Sequence, residues 1–240
     1  RRNFVKKTAV LSTATLTTTL PVDAFANVTE NKKLKISLVG CGGRGSGAIV
    51  QAMESDDNVE IISMADVFSD RIEKSLKGIR EHFGNKKKIN LKEKNIFVGF
   101  DSYKKAIDLC DVVILATPPG FRPLHFEYAI DNGKHVFMEK PLATDATGVR
   151  RVLNSAQKAK EQRLNVVVGL QRHYQNKYLD LYEKVKSGAI GKIVSGQVYW
   201  NDGGVWTNNR KANQTELEYQ MRNWYYFCLL YTSPSPRDVP

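Results

Sequence analysis

The sequence predicts an α/β protein: a parallel sheet with helices on both faces, followed by the start of a second domain. Three observations carry that prediction. Short apolar runs alternate with helix-patterned segments from Leu34 to Gly169. A glycine cluster, Gly40-Cys41-Gly42-Gly43-Arg44-Gly45, directly follows the first of those runs. Beyond Gly191 the pattern changes to alternating apolar and polar residues.

The elements follow in order. Leu34–Val39 is a short apolar run ending in glycines, as a buried strand does. Ala48–Met53 continues as a helix, and Val59–Ala65 is a second strand ending at Asp66. Asp70–His82 has helical spacing, with Ile72, Leu76 and Ile79 on one face. Asn85–Lys94 reads as a basic loop, Ile96–Val98 as a brief strand and Ser102–Leu109 as a helix. Asp111–Ala116 is β-branched and is stopped by Pro118-Pro119. Pro123–Asn132 is a helix with Gly133 at its C-terminal end, and His135–Met138 a strand. Ala146–Gln162 is a long helix and Asn165–Gly169 a further strand. Tyr174–Ser187 is then a helix, Gly188–Gly191 a turn, and Lys192–Trp200 a half-solvated antiparallel strand that opens the second domain.

The 240 residues carry 36 Lys and Arg against 25 Asp and Glu, a formal net charge of +11. Such a charge suggests a polyanion partner. Its distribution argues otherwise, because residues 1–35 and 80–94 hold most of the surplus. A hydrophobic content of 42% is too high for a disordered chain. No run of 18 apolar residues is present, so no stable membrane association is expected. Three cysteines, Cys41, Cys110 and Cys228, make no disulfide framework, and no metal site is assigned.

Both ends read differently from the middle. Arg1-Arg2-Asn3-Phe4-Val5-Lys6, the Ala- and Thr-rich stretch Thr8–Leu20 and Ala24-Phe25-Ala26 resemble, in that order, a twin-arginine export signal with its cleavage site. The alternative is a basic tail. Residues 228–238 resemble one reading frame of a transposon-type sequencing adaptor; the alternative is a genuine Pro/Ser-rich tail. On the first reading, natural sequence is expected to end near Phe227. The expected organisation is thus a signal over 1–26, a parallel-sheet domain over 27–170, the start of a second domain over 171–227 and an artefact tail over 228–240.

The chemistry begins at Gly40–Gly45, which fits G-x-G-x-x-G. The first glycine, Gly40, makes a tight turn, Gly42 lets the backbone approach a pyrophosphate, and Gly45 lets the helix pack on the strand. Gly43 and Arg44 complete the turn, whose helix N-terminus offers N–H groups to phosphates. Asp66 ends the second strand, where a carboxylate can accept hydrogen bonds from ribose hydroxyls. That favours NAD over NADP, although Arg44 and Arg71 could tolerate a 2′-phosphate. The offset from Gly40 exceeds the usual ~20 residues, so a longer helix or loop is expected. A plain strand-end aspartate is the alternative. Thr117 and Pro118 end the strand that should lie beside the cofactor. His125 follows on the next helix, facing the nicotinamide half or serving structure alone. Glu139-Lys140-Pro141 closes the next strand at the same edge. A lysine there can hydrogen-bond a substrate hydroxyl and help deprotonate it; a solvated turn is the alternative. Gln171, Arg172, His173 and Tyr174 line a substrate cleft or surface an interdomain joint. Asp202, Trp206, Arg222 and Trp224 contact a sugar or, for the aromatic residues, fill core.

Gly40–Gly45, Ala116–Pro119, His125, Glu139–Pro141 and Gly188–Ile193 together resemble one family, over about Leu34 to Phe227. It is the glucose–fructose oxidoreductase, inositol dehydrogenase and rhizopine-catabolism family (Gfo/Idh/MocA). The resemblance implies a Rossmann-type parallel-sheet domain followed by an α+β domain, truncated here, with a mostly antiparallel sheet that makes the oligomer interface. It implies hydride transfer between NAD(P) and a sugar or cyclitol hydroxyl carbon, with Lys140 as the catalytic lysine. It implies a periplasmic protein where the export signal is present, a small carbohydrate as partner rather than nucleic acid, and a homo-oligomer when full length. The family's Asp-x-x-x-His pair has no counterpart after Trp200, so the chain alone is expected to be inactive. Two other readings stay open: an NAD-dependent glycosidase of the same superfamily, and a non-catalytic nucleotide-binding or scaffolding protein.

Overall fold

The computed structural model describes residues 33–84, 89–199, 201 and 204–229. The expected export signal, part of the basic loop, Trp200, Asp202 and the terminal tail lie outside the described residues.

Six strands form one parallel sheet: β1 (Leu34–Val39), β2 (Val59–Asp66), β3 (Ile96–Val98), β4 (Val112–Leu115), β5 (His135–Met138) and β6 (Val166–Val168). Their order is β3-β2-β1-β4-β5-β6, which reverses direction between β1 and β4. Helices α1 (Gly43–Ser55), α2 (Ser69–Phe83), α3 (Ser102–Asp108), α4 (Arg122–Asp131) and α5 (Ala146–Glu161) make the crossovers. A short 3₁₀ turn (Gln171–Tyr174), α6 (Asn176–Lys186) and α7 (Glu216–Arg222) follow.

Alternation along each strand sends side chains to two cores. Ile36, Leu38, Ile61, Met64 and Ile114 pack with Ile49, Met53, Ile72 and Ile79 from α1 and α2. Val39, Ala65, Val113 and Leu115 pack on the other face with Ile107, Phe126 and Ile130 from α3 and α4. Helix α2 shows the sequence logic most directly. Ile72, Leu76, Ile79 and Phe83 recur at helical spacing and are all buried. Gly84, at φ +55°, then ends the helix, with its N–H donated to the Arg80 carbonyl at 2.8 Å. Helix α5 starts where Asp145 Oδ1 accepts the Gly148 N–H at 2.6 Å.

One polar pair sits inside the core. Ile36 faces Ile61, but Ser37 faces Ser63, so β2 carries one extra residue, Ile62, at a bulge. The Ser37 and Ser63 hydroxyls bond each other. Each also reaches the Ala106 carbonyl of α3, at 3.0 and 3.1 Å.

The hydrogen-bond ladder extends one step past the strands and levels their carboxyl ends. Gly40 N–H donates to Ala65 O at 2.9 Å and Ala116 N–H to Val39 O at 2.8 Å. Glu139 N–H donates to Leu115 O at 3.0 Å and Gly169 N–H to Met138 O at 2.8 Å. These bonds place the glycine turn, Asp66, Thr117 and Glu139 along one edge of the sheet.

Two expectations need correction. Residues 192–199 form no strand: Val194 is 87% and Val198 is 96% exposed, and no strand among the described residues lies beside them. Alternation marks a segment able to pair; without a partner its backbone stays with water. Helix α6 begins at Asn176 rather than Tyr174, because Gln171–Tyr174 takes the tighter 3₁₀ turn first.

Candidate functional site

The glycines of the β1–α1 turn do two different jobs. Gly40 sits at φ +94°, and a Cβ there would lie 2.6 Å from the Ala116 carbonyl carbon and the Thr117 nitrogen. At Gly45 a Cβ would lie 2.0 Å from the Gly40 oxygen, so helix and strand approach too closely for any side chain. Gly42 and Gly43 differ: a Cβ at either meets nothing within 4 Å. They face open space. No side chain caps α1, and its first turn holds no acidic residue. The N–H groups of that turn have no intrahelical acceptor, so backbone and dipole present an anion cradle.

Asp66 closes the turn from the β2 side. Its Oδ2 accepts the Cys41 N–H at 2.7 Å and its Oδ1 the Phe68 N–H at 3.0 Å. Burial raises its pKa above the ordinary carboxylate value, against those two hydrogen bonds and the positive charge of Arg71. A carboxylate has about four acceptor sites, so Asp66 keeps acceptor capacity for a hydroxyl donor. Burial together with the Asp66 charge also pushes the Cys41 thiol well up.

The β4–β5 end is built from buried polar side chains. Arg122, 2% exposed, donates from Nη1 to the Pro141 carbonyl and from Nη2 to the Thr117 carbonyl. It therefore ties the loop after β4 to the loop after β5. Burial lowers its pKa to about 10, with Glu139 acting in the opposite direction. His125 stacks on Tyr103 with ring centroids 4.1 Å apart, and its Nδ1 lies 3.2 Å from Thr117 Oγ1. Burial, assisted by Arg122, lowers its pKa to about 4, so it is neutral at ordinary pH. Glu139 is 7% exposed and fills the space that Gly169 leaves, where a Cβ would meet its Oε1 at 2.6 Å. Arg44 Nη2 lies 2.7 Å from the same oxygen. The approach is off line for a hydrogen bond, so the contact is an ion pair and Oε1 keeps its hydrogen-bonding capacity unfilled.

A cavity of about 480 Å³ runs along this edge. Gly40, Gly42, Gly43, Arg44, Gly45 and Asp66 line one part, and Thr117, Pro118 and His125 another. The C-terminal segment supplies further wall, including Trp206, Asn208 and Trp224. Trp206 and Trp224 meet edge to face at 5.9 Å, so they serve as lining and as packing at once. Glu139 and Lys140 do not line the cavity: Glu139 is buried and Lys140 is exposed. Gln171, Arg172, His173 and Tyr174 are exposed on the 3₁₀ turn and are not brought to the cavity. Arg172 is engaged with the Tyr178 hydroxyl and ring instead. Arg44 pairs toward Glu139, leaving Arg71 as the arginine beside Asp66. Arg122 and Gly169 had no signal in the sequence: Arg122 reads as a helix-start arginine, and its acceptors lie on loops that only the fold brings near.

Open glycines at an uncapped helix N-terminus, and a carboxylate with free acceptor sites at the end of β2, fit a dinucleotide. With the 3-2-1-4-5-6 strand order, they define a dinucleotide-binding domain of the Rossmann type. The chain belongs to the GFO_IDH_MocA family, described as an oxidoreductase family with an NAD-binding Rossmann fold, whose model matches residues 34–169.

Inositol 2-dehydrogenase of Salmonella paratyphi B is 29% identical over 168 residues, covering 69% of this chain and 46% of the relative. A glycosyl hydrolase family 109 protein of Shewanella putrefaciens is 22% identical over 244 residues, covering 93% and 49%. Among solved structures, myo-inositol dehydrogenase from Lactobacillus casei in complex with NAD(H) and myo-inositol matches with a TM-score of 0.54 at 22% identity, covering 66% of this chain and 43% of that one. The chain spans about half the length of the curated relatives it matches.

Proposed function

We propose that the whole protein to which this chain belongs transfers a hydride between NAD and a hydroxyl-bearing carbon of a cyclitol or sugar. The observation that carries the reading is the open glycine turn, which shares one cavity with Asp66, Thr117 and His125. The inositol 2-dehydrogenase relatives support the substrate class. The family model is an oxidoreductase model, and the glycosyl hydrolase relative is less identical. Net oxidation of an alcohol is therefore better supported than glycoside cleavage.

The bound nicotinamide supplies the hydride acceptor or donor. This chain's residues do the rest of the work on this half. The N-terminus of α1 binds the pyrophosphate, and Asp66 accepts the ribose hydroxyls. His125 stays neutral down to about pH 4 and adds no charge to the cavity. Arg122 fixes the loop that presents Lys140, and Lys140 exchanges the proton of the substrate hydroxyl. The proposal includes export by a twin-arginine signal in residues 1–26 and a homo-oligomeric whole protein, each supported by the sequence pattern and family resemblance.

Titration of the chain with NADH, followed by nicotinamide fluorescence, tests the site. Gly42→Asp is expected to weaken binding at least about tenfold, since it sets a carboxylate against the pyrophosphate. Equal affinity in the variant contradicts the assignment. In the whole protein, Lys140→Ala is expected to lower turnover of myo- or scyllo-inositol far more than it lowers cofactor affinity. Equal losses in both would remove Lys140 from the proton transfer.

A further inference from the structure

The sequence marks Arg222 only as a candidate sugar contact, yet it is among the most engaged side chains of the described residues. Its Nη1 and Nη2 form a fork on Asp70 Oδ2 and Oδ1, at 3.1 and 3.0 Å. Its Nε donates to Glu218 Oε1 at 2.9 Å. The guanidinium also lies 4.0 Å from the Phe68 ring centroid. Asp70 opens α2, and Phe68 immediately precedes that helix. Phe68 in turn donates its N–H to Asp66. A continuous set of contacts therefore runs from Arg222 through Phe68 to the carboxylate that faces the ribose, across more than 150 residues of sequence. Both Arg222 and Phe68 line the cavity.

The platform that presents Arg222 is locked by its own bonds. Asn223, 2% exposed, accepts the Asn208 N–H at 2.7 Å and donates to the Asn208 carbonyl at 3.1 Å. Asn208 Nδ2 donates to the carbonyl of Arg222 itself at 2.7 Å. Tyr226 holds the start of the same loop through the Val205 carbonyl at 2.6 Å. A fixed guanidinium with two acidic partners and an aromatic face is a rigid strut, for which a lysine is no substitute.

We propose that Arg222 is a positioning residue of the adenosine half of the dinucleotide site, holding Phe68 and Asp70 so that Asp66 is aimed at the ribose. The inference rests on the dinucleotide reading of the cavity and extends it. The C-terminal segment completes the cofactor site as well as facing the substrate. The fork on Asp70 and the bond to Glu218 use three of the five guanidinium N–H donors and fix its orientation.

ADP-ribose, which lacks the nicotinamide, isolates this half. Calorimetric titration of the 240-residue chain compares wild type with Arg222→Gln, Arg222→Lys, Asp70→Asn and the Arg222→Gln/Asp70→Asn double variant. Arg222→Gln and Asp70→Asn are each expected to weaken ADP-ribose about tenfold. The double variant should be little worse than either single, because both remove one interaction. Arg222→Lys should recover only part of the loss, since it keeps the charge without the fork. Asp70 is 58% exposed on its side chain, so Asp70→Asn decides the matter if the Arg222 variants do not fold. ADP-ribose affinity within about twofold of wild type in the folded variants overturns the proposal while leaving the dinucleotide reading intact. Wild type that binds neither ADP-ribose nor NADH overturns both.

Discussion

At the β1–β2 end of the cleft the chain shapes the site by leaving side chains out. Gly40 and Gly45 let backbone touch backbone, while Gly42 and Gly43 leave a surface bare. At the β4–β5 end it shapes the site by burying polar and charged groups: Arg122, His125 and Glu139 are each under a tenth exposed. The first strategy tolerates no added atom at Gly40 and Gly45 and leaves room for one at Gly42 and Gly43. The second tolerates shape change better but fails when one partner is lost, because a buried charge or carbonyl is then stranded.

The contrast is sharpest at Arg122. Arg122→Ala strands the Thr117 and Pro141 carbonyls and opens a cavity beside Glu139, and is expected to cost about 4 kcal/mol in urea unfolding. A loss under about 1 kcal/mol would mean that the β4–β5 end is held by something else. Next in size is a paired test inside one motif. Gly45→Ala, with its Cβ 2.0 Å from the Gly40 oxygen, is expected to cost about 3 kcal/mol. Gly43→Ala enters open space in the first turn of a helix and should stay within about 0.5 kcal/mol of wild type. Similar costs at the two positions would erase the division of labour among the glycines.

The smallest effect is read through pH. Folded His125 binds a proton only near pH 4, whereas the unfolded residue does so at 6.5. Between those values the unfolded state binds more protons, so stability is full above pH 6.5 and falls as pH drops toward 4. The loss from this group is about 2 kcal/mol by about pH 5. Asp66 works in the opposite sense, since its raised folded pKa adds stability as pH falls through it. Comparing wild type with His125→Gln at each pH cancels that contribution. Parallel stability curves for the two proteins would show that His125 is not held neutral.

The same contrast explains what could be read in advance. The parallel sheet, the glycine turn and Asp66 were legible because each is a local pattern: an apolar run, a glycine spacing, an acid at a strand end. Arg122 was not, because its acceptors are carbonyls of Thr117 and Pro141, which carry no residue code. Gly169 looked like a plain strand end until the Glu139 carboxylate was found in the space it vacates. The segment 192–199 shows the reverse: a strand-like pattern cannot say whether a neighbouring strand is present to pair with it.

The Ser37–Ser63 pair has a consequence at the far end of its strands. Two hydroxyls sharing the Ala106 carbonyl act as a register stop. Sliding β1 by one residue along β2 would turn every side chain to the opposite face. It would also carry the Gly40 and Cys41 N–H groups away from Ala65 and Asp66. The mouth of the cleft is thus gauged from within the core, by atoms that no ligand touches. Damage to nucleotide binding can begin at Ser37, buried three residues before Gly40.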